Sequence, residues 1–104
     1  RTDGRLAALA GIWESYAGAM GEVLESCAIV TTEADDVVGR VHDRMPVALE
    51  REDHAAWLDA GMHDAVRAAS IFRRREPSIW LGHPVGREVN RAGVDEPGLI
   101  LPLP

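Results

Sequence analysis

VHDRMPVALE, residues 41–50, decides how the chain is built, because Pro46 stands in the middle of it. A proline disfavours helical geometry at the residue before it, so a helix arriving from upstream stops near Asp43, and Met45 to Leu49 run on extended. That helix starts after Thr32, where Glu33, Asp35 and Asp36 crowd the first turn and meet the positive end of the helix dipole. His42 falls at its C-terminal end.

Upstream, LESCAIVTT at 24–32 carries a β-branched run ending in threonines and reads as a largely buried strand, with Cys27 inside it. GRLAALAGIWESY at 4–16 fits helix or strand by periodicity. Gly11 interrupts its alanines, and the β-prone Ile12, Trp13 and Tyr16 tip the reading to a strand over 5–13, with AGAMGE at 17–22 as a loop. Downstream, residues 51–72 read as two helical pieces joined at Gly61. Ala55, Ala56, Trp57 and Leu58 form one apolar face, and Val66, Ala69 and Ile71 the other. RRRE at 73–76 reads as a solvated turn, Ser78 to Leu81 as a strand, and the proline-rich tail 97–104 as extended.

Length and composition bound the class. A chain of 104 residues makes one small domain with a thin core, and 46% apolar with 27% charged residues is ordinary globular composition. The chain opens on Arg1, inside what reads as an ongoing pattern, so it is expected to be a portion of a longer domain. Eleven arginines, no lysine and a net charge of −6 mean that any contact with nucleic acid is a local patch, not a bulk attraction. One cysteine excludes an internal disulfide, no apolar run is long enough to span a membrane, and a cytoplasmic location follows as the default.

Several residues invite chemistry, each beside a plainer explanation. The helix end and Asp43 favour the charged form of His42 and suit it to proton transfer; a solvated helix-end histidine looks the same. Glu14, after a small apolar strand, fits a general acid or base, or marks where the strand reaches water. Asp53-His54, His63-Asp64 and His42-Asp43 raise a metal-dependent phosphohydrolase, but the i, i+4 ligand pairing of a helical zinc motif is missing and exposed helix faces explain the pairs more simply. Cys27 has apolar neighbours and reads as a buried strand cysteine; Arg73, Arg74 and Arg75 suit phosphate or a solvated turn. Neither a metal nor another cofactor is called for.

Four segments in order, AGIWE at 10–14, CAIVTTEADD at 27–36, VHDRMPVALE at 41–50 and HPVGREVN at 83–90, together resemble the SRAP family, the SOS response-associated peptidases that include proteins crosslinking to abasic sites in single-stranded DNA. The resemblance spans nearly all of the chain but only the C-terminal half or so of a family domain. It implies an α+β fold with a curved, barrel-like mixed sheet and flanking helices, and a groove for single-stranded DNA carrying an abasic site. In the family the nucleophile is an N-terminal cysteine that forms a thiazolidine with the sugar aldehyde, and autopeptidase activity removes the leader ahead of it. The resemblance maps the assisting acid/base residues onto Glu14 and His42, and DNA contacts onto Arg44 and Thr31. Cys27 does not match the nucleophile, Asp35 stands where the family usually has Asn, and Gly86 where it has Ser. The partners implied are abasic single-stranded DNA and the rest of the same domain. Competing readings are a fragment that binds DNA or a partner without chemistry, and a purely structural piece.

Overall fold

Three extended segments dominate the computed structural model, which describes residues 1–72 and 78–104. The first holds β1 (Ala8–Leu9) and β2 (Gly11–Ala17), the second β3 (Val23–Ile29) and β4 (Thr31–Glu33), and the third β5 (Arg44–Pro46) and β6 (Ala48–Leu49). Each segment is interrupted by one residue, and there it changes partner. β1 pairs with β6, β2 with β3 and β4 with β5, all antiparallel.

The interrupting residues close a ring of backbone hydrogen bonds. Ala10 N–H donates to the Val47 carbonyl at 2.9 Å, Val47 N–H to Val30 at 2.9 Å, and Val30 N–H to Ala10 at 2.8 Å. A strand that leaves one partner for another would otherwise bury unpaired backbone groups, and the ring satisfies one donor and one acceptor on each segment. Ala10 at this junction is 0% exposed and Val47 4%. With Leu49 and Ile71 they form the core, against which Val30, Ala56, Trp57, Met62 and Phe72 pack.

Two short helices cover one side of the junction. α1 (His54–Trp57) and α2 (Ala65–Ser70) meet across a turn at Gly61, whose amide donates to Asp59 Oδ1. Asp64 caps α2 by accepting from the Val66 and Arg67 amides. Trp57 Nε1 donates to the Gly11 carbonyl at 3.1 Å, and its ring meets Phe72 at a centroid distance of 5.4 Å. The two helical pieces and the joint are as the sequence predicts. The buried faces differ: Ile71 is buried and Ala56, Ala68 and Trp57 are half-buried, whereas Leu58 and Val66 are exposed.

The β2–β3 hairpin projects from the junction. Gly21, at φ +85°, closes its tip in a conformation that disfavours any side chain. In its register Ile12, Glu14 and Tyr16 face the same way as Ala28, Ser26 and Leu24, while Trp13 shares the opposite face with Cys27 and Ile29. Both faces are therefore apolar, and both stand open: Trp13 is 73% and Leu24 62% exposed. The molecule has 8652 Å² of accessible surface, against about 5,700 Å² for a compact protein of its mass. Its radius of gyration is 17.4 Å, against ~13 Å for a compact chain of this length.

The α+β class agrees with the sequence, but the strands form three open antiparallel pairs and not a closed barrel. The strand over 5–13 is split at Ala10, starts only at Ala8 and runs on to Ala17. The second strand, predicted largely buried, is exposed along all of β3, and Cys27 is exposed with it, because among the described residues no other element packs over the hairpin beyond its base. The helix after Thr32 shrinks to a 3₁₀ turn at Val38–Arg40. Asp35 takes the Val37 and Val38 amides on its side chain as a cap would, so a start is present, and the β-branched Val37, Val38 and Val41 do little to prolong the turn. Ser78 to Leu81 form no strand, and within the tail Pro97–Ile100 make a 3₁₀ turn led by Pro97. The turn expected at 73–76 lies outside the described residues.

Candidate functional site

β4 and β5 are joined by a loop, residues 34–43, that carries His42 to the edge of the junction. Ala34 N–H donates to the Asp43 carbonyl at 3.0 Å and closes the loop's ends, and His42 N–H donates to Val38 O at the end of the 3₁₀ turn. His42 therefore does follow a helical turn and precede a strand, as expected, on a shorter helix.

The His42 ring is held through one nitrogen. Arg44 N–H donates to Nδ1 at 2.9 Å, which in neutral imidazole places the proton on Nε2. Asp43 Oδ1 and the Arg44 carbonyl also lie 3.1 Å from the same Nδ1. The ring is thus held at Nδ1, and among the described residues no hydrogen bond engages Nε2, which leaves that nitrogen of the exposed ring for chemistry.

Arg44 and Thr31 come together as the pairing of β4 with β5 demands. Arg44 Nη2 donates to the Thr31 carbonyl at 2.7 Å and to Thr31 Oγ1 at 3.0 Å, with Nε 3.3 Å from the same hydroxyl. This fixes the guanidinium, and among the described residues no hydrogen bond engages Nη1, a suitable fork for an anionic oxygen.

Glu14 sits apart, on β2 opposite Ser26, in a shallow depression that also includes Ile12 and Ala28. No hydrogen bond among the described residues joins it to His42. The connection is along the chain: from Ser26, opposite Glu14, the second segment runs through Val30 to Thr31, which holds Arg44 beside His42. Cys27 projects from the face opposite Glu14. Among the described residues no group of three His, Cys, Asp or Glu is placed to hold a metal ion, and no helix is long and apolar enough to cross a membrane.

Asp35 is the residue whose role the sequence concealed. It is 4% exposed; Oδ1 accepts from the Val37 and Val38 amides at 3.0 and 2.9 Å, and Oδ2 from Ser78 Oγ at 2.5 Å. The sequence signal was a Thr-Thr-Glu-Ala-Asp run, read there as a helix start, while Ser78 lies 43 residues away.

Together the fold and site define a small α+β protein in which an exposed histidine and an anchored arginine border a three-way strand junction. The SOS response associated peptidase (SRAP) family profile matches residues 1–92, and the chain belongs to that family. It is 30% identical over 95 residues to the Bacillus subtilis abasic site processing protein YoqW, covering 91% of this chain and 42% of that protein. It is 33% identical over 103 residues to the chicken abasic site processing protein HMCES, covering 95% of this chain and 30% of that one. A solved structure of a Bacteroides thetaiotaomicron protein superposes with a TM-score of 0.75 at 20% identity, over 91% of this chain and 42% of that one, which establishes the fold. The chain spans less than half the length of these relatives.

Proposed function

We propose that this chain is the acid/base and phosphate-contacting portion of a domain that captures abasic sites in single-stranded DNA. The link from Glu14 through the second segment to Thr31, Arg44 and His42 carries the reading, supported by relatives named as abasic site processing proteins. The nucleophile is an N-terminal cysteine outside these 104 residues. Its amine adds to the C1′ aldehyde of the ring-opened sugar, the carbinolamine loses water to give an imine, and the thiol adds across the C=N bond to close a thiazolidine. Glu14 protonates the ring oxygen as the sugar opens; His42, through Nε2, transfers the protons that release water. Arg44 meets phosphate on the fork that Thr31 orients. The same cysteine serves autopeptidase chemistry, and the protein works inside the cell, where its DNA is.

The test is to incubate the chain with abasic single-stranded DNA, alone and with a polypeptide supplying the remaining length of a relative. A heat-stable adduct is expected only in the second case, mapped to the added N-terminal cysteine. An adduct through Cys27 would overturn the assignment.

A further inference from the structure

We propose that Asp35 is a positioning residue for His42 and Arg44, acting as a latch between their loop and the segment at Ser78–Trp80; the proposal rests on the function given above for those two residues. Three observations combine. Oδ1 of Asp35 holds the Val37 and Val38 amides and so sets the turn on whose last carbonyl-bonded residue, His42, the ring is mounted. Oδ2 receives the Ser78 hydroxyl, and that hydroxyl in turn accepts from Trp80 N–H at 3.1 Å, which fixes its proton toward Asp35. Ile79 and Trp80 then line, with Met45 and Val47, one small pocket of about 30 Å³ beside Asp35.

The latch is buried whereas the groups it places are exposed. The exposed ring is held at Nδ1 by Arg44 and Asp43 and stays placed when the backbone that carries them is fixed; among the described residues the backbone of the 34–43 loop is otherwise bonded at its closing Ala34–Asp43 bond and within its own turn. A carboxylate that caps the turn and grips a distant strand-side segment supplies the missing constraint. Displacing a catalytic group by ~1 Å costs about 100-fold in rate, so a residue that touches no substrate still governs the reaction.

The experiment follows the ring and amide directly in the ¹⁵N-labelled chain. In a folded Asp35→Ala variant the His42 ring nitrogens should lose the signature of a single Nε2–H tautomer, and the Arg44 amide should exchange at least about tenfold faster. Asp35→Asn, which keeps an acceptor for both amides, should restore both signals; Ser78→Ala, which removes one bond, should shift them part-way. Unchanged His42 and Arg44 signals in folded Asp35→Ala overturn the proposal, as does an Asp35→Asn variant no better than the alanine. If Asp35→Ala fails to fold, Ser78→Ala decides, and its silence at both signals overturns the latch. Crosslinking is measured separately, with His42→Ala in parallel. If His42→Ala leaves the adduct rate intact the proposed function fails, while the ring and amide signals still report on the latch.

Discussion

The strand junction and the β2–β3 hairpin share a segment of chain yet differ in what holds them. At the junction, three backbones exchange hydrogen bonds in a ring and four buried apolar side chains pack behind it. The hairpin has a full seven-residue ladder and apolar residues on both faces, but little beyond its own strands to pack against. Backbone pairing is satisfied in both. What separates them is burial, which at roughly 25 cal/mol per Å² of apolar surface outweighs the modest net return of the hydrogen bonds themselves. An isolated two-stranded hairpin is marginal in water, so this one leans on the junction from which it springs.

The sharpest way to break the comparison is a buried charge. Val47→Asp places a carboxylate at the buried, apolar ring and should abolish the cooperative thermal transition in circular dichroism; a surviving transition would show that the junction is not the core. Next come Glu14→Ala and His42→Ala, one on the hairpin and one at the junction's edge. Each should slow adduct formation by about 10²- to 10⁴-fold in the completed domain, measured on gels, with little change in thermal midpoint. A smaller effect is expected from Arg44→Ala. Affinity for single-stranded DNA should weaken several-fold regardless of base sequence, and the slope of log affinity against log salt should fall by ~0.7. Smallest of all is Leu24→Ala on the hairpin, which should move stability by less than about 0.5 kcal/mol in urea titrations, against ~2–5 kcal/mol for Leu49→Ala in the core.

The candidate site was legible in pieces. His42 after a helical turn and the extended run past Pro46 follow from local chemistry, and the family resemblance puts Arg44 and Thr31 in one groove; in the structure Arg44 bonds both Thr31 and the His42 ring. The short helix expected from Thr32 to about Asp43 is reduced to the 3₁₀ turn Val38–Arg40, which Asp35 caps and the β-branched Val37, Val38 and Val41 do little to prolong. Burial of the second strand was misjudged for a different reason. Apolar side chains on both faces of Val23–Ile29 say that the strand is suited to cover; whether another element lies there is not written in the strand.

Residues 8–17, 23–33 and 44–49 are extended because of what lies next to them in sequence: β-branched and aromatic runs, glycine at the hairpin tip, and Pro46, which disfavours helix at Met45 before it. That much the sequence by itself determined, along with the net charge and the absence of a disulfide framework. Only the tertiary structure decided that each segment changes partner at Ala10, Val30 or Val47, and that Asp35 reaches Ser78. Propensity is a property of neighbours along the chain, whereas the ring and the latch are bonds between residues 17 to 43 positions apart, chosen by which backbones and side chains can be satisfied together.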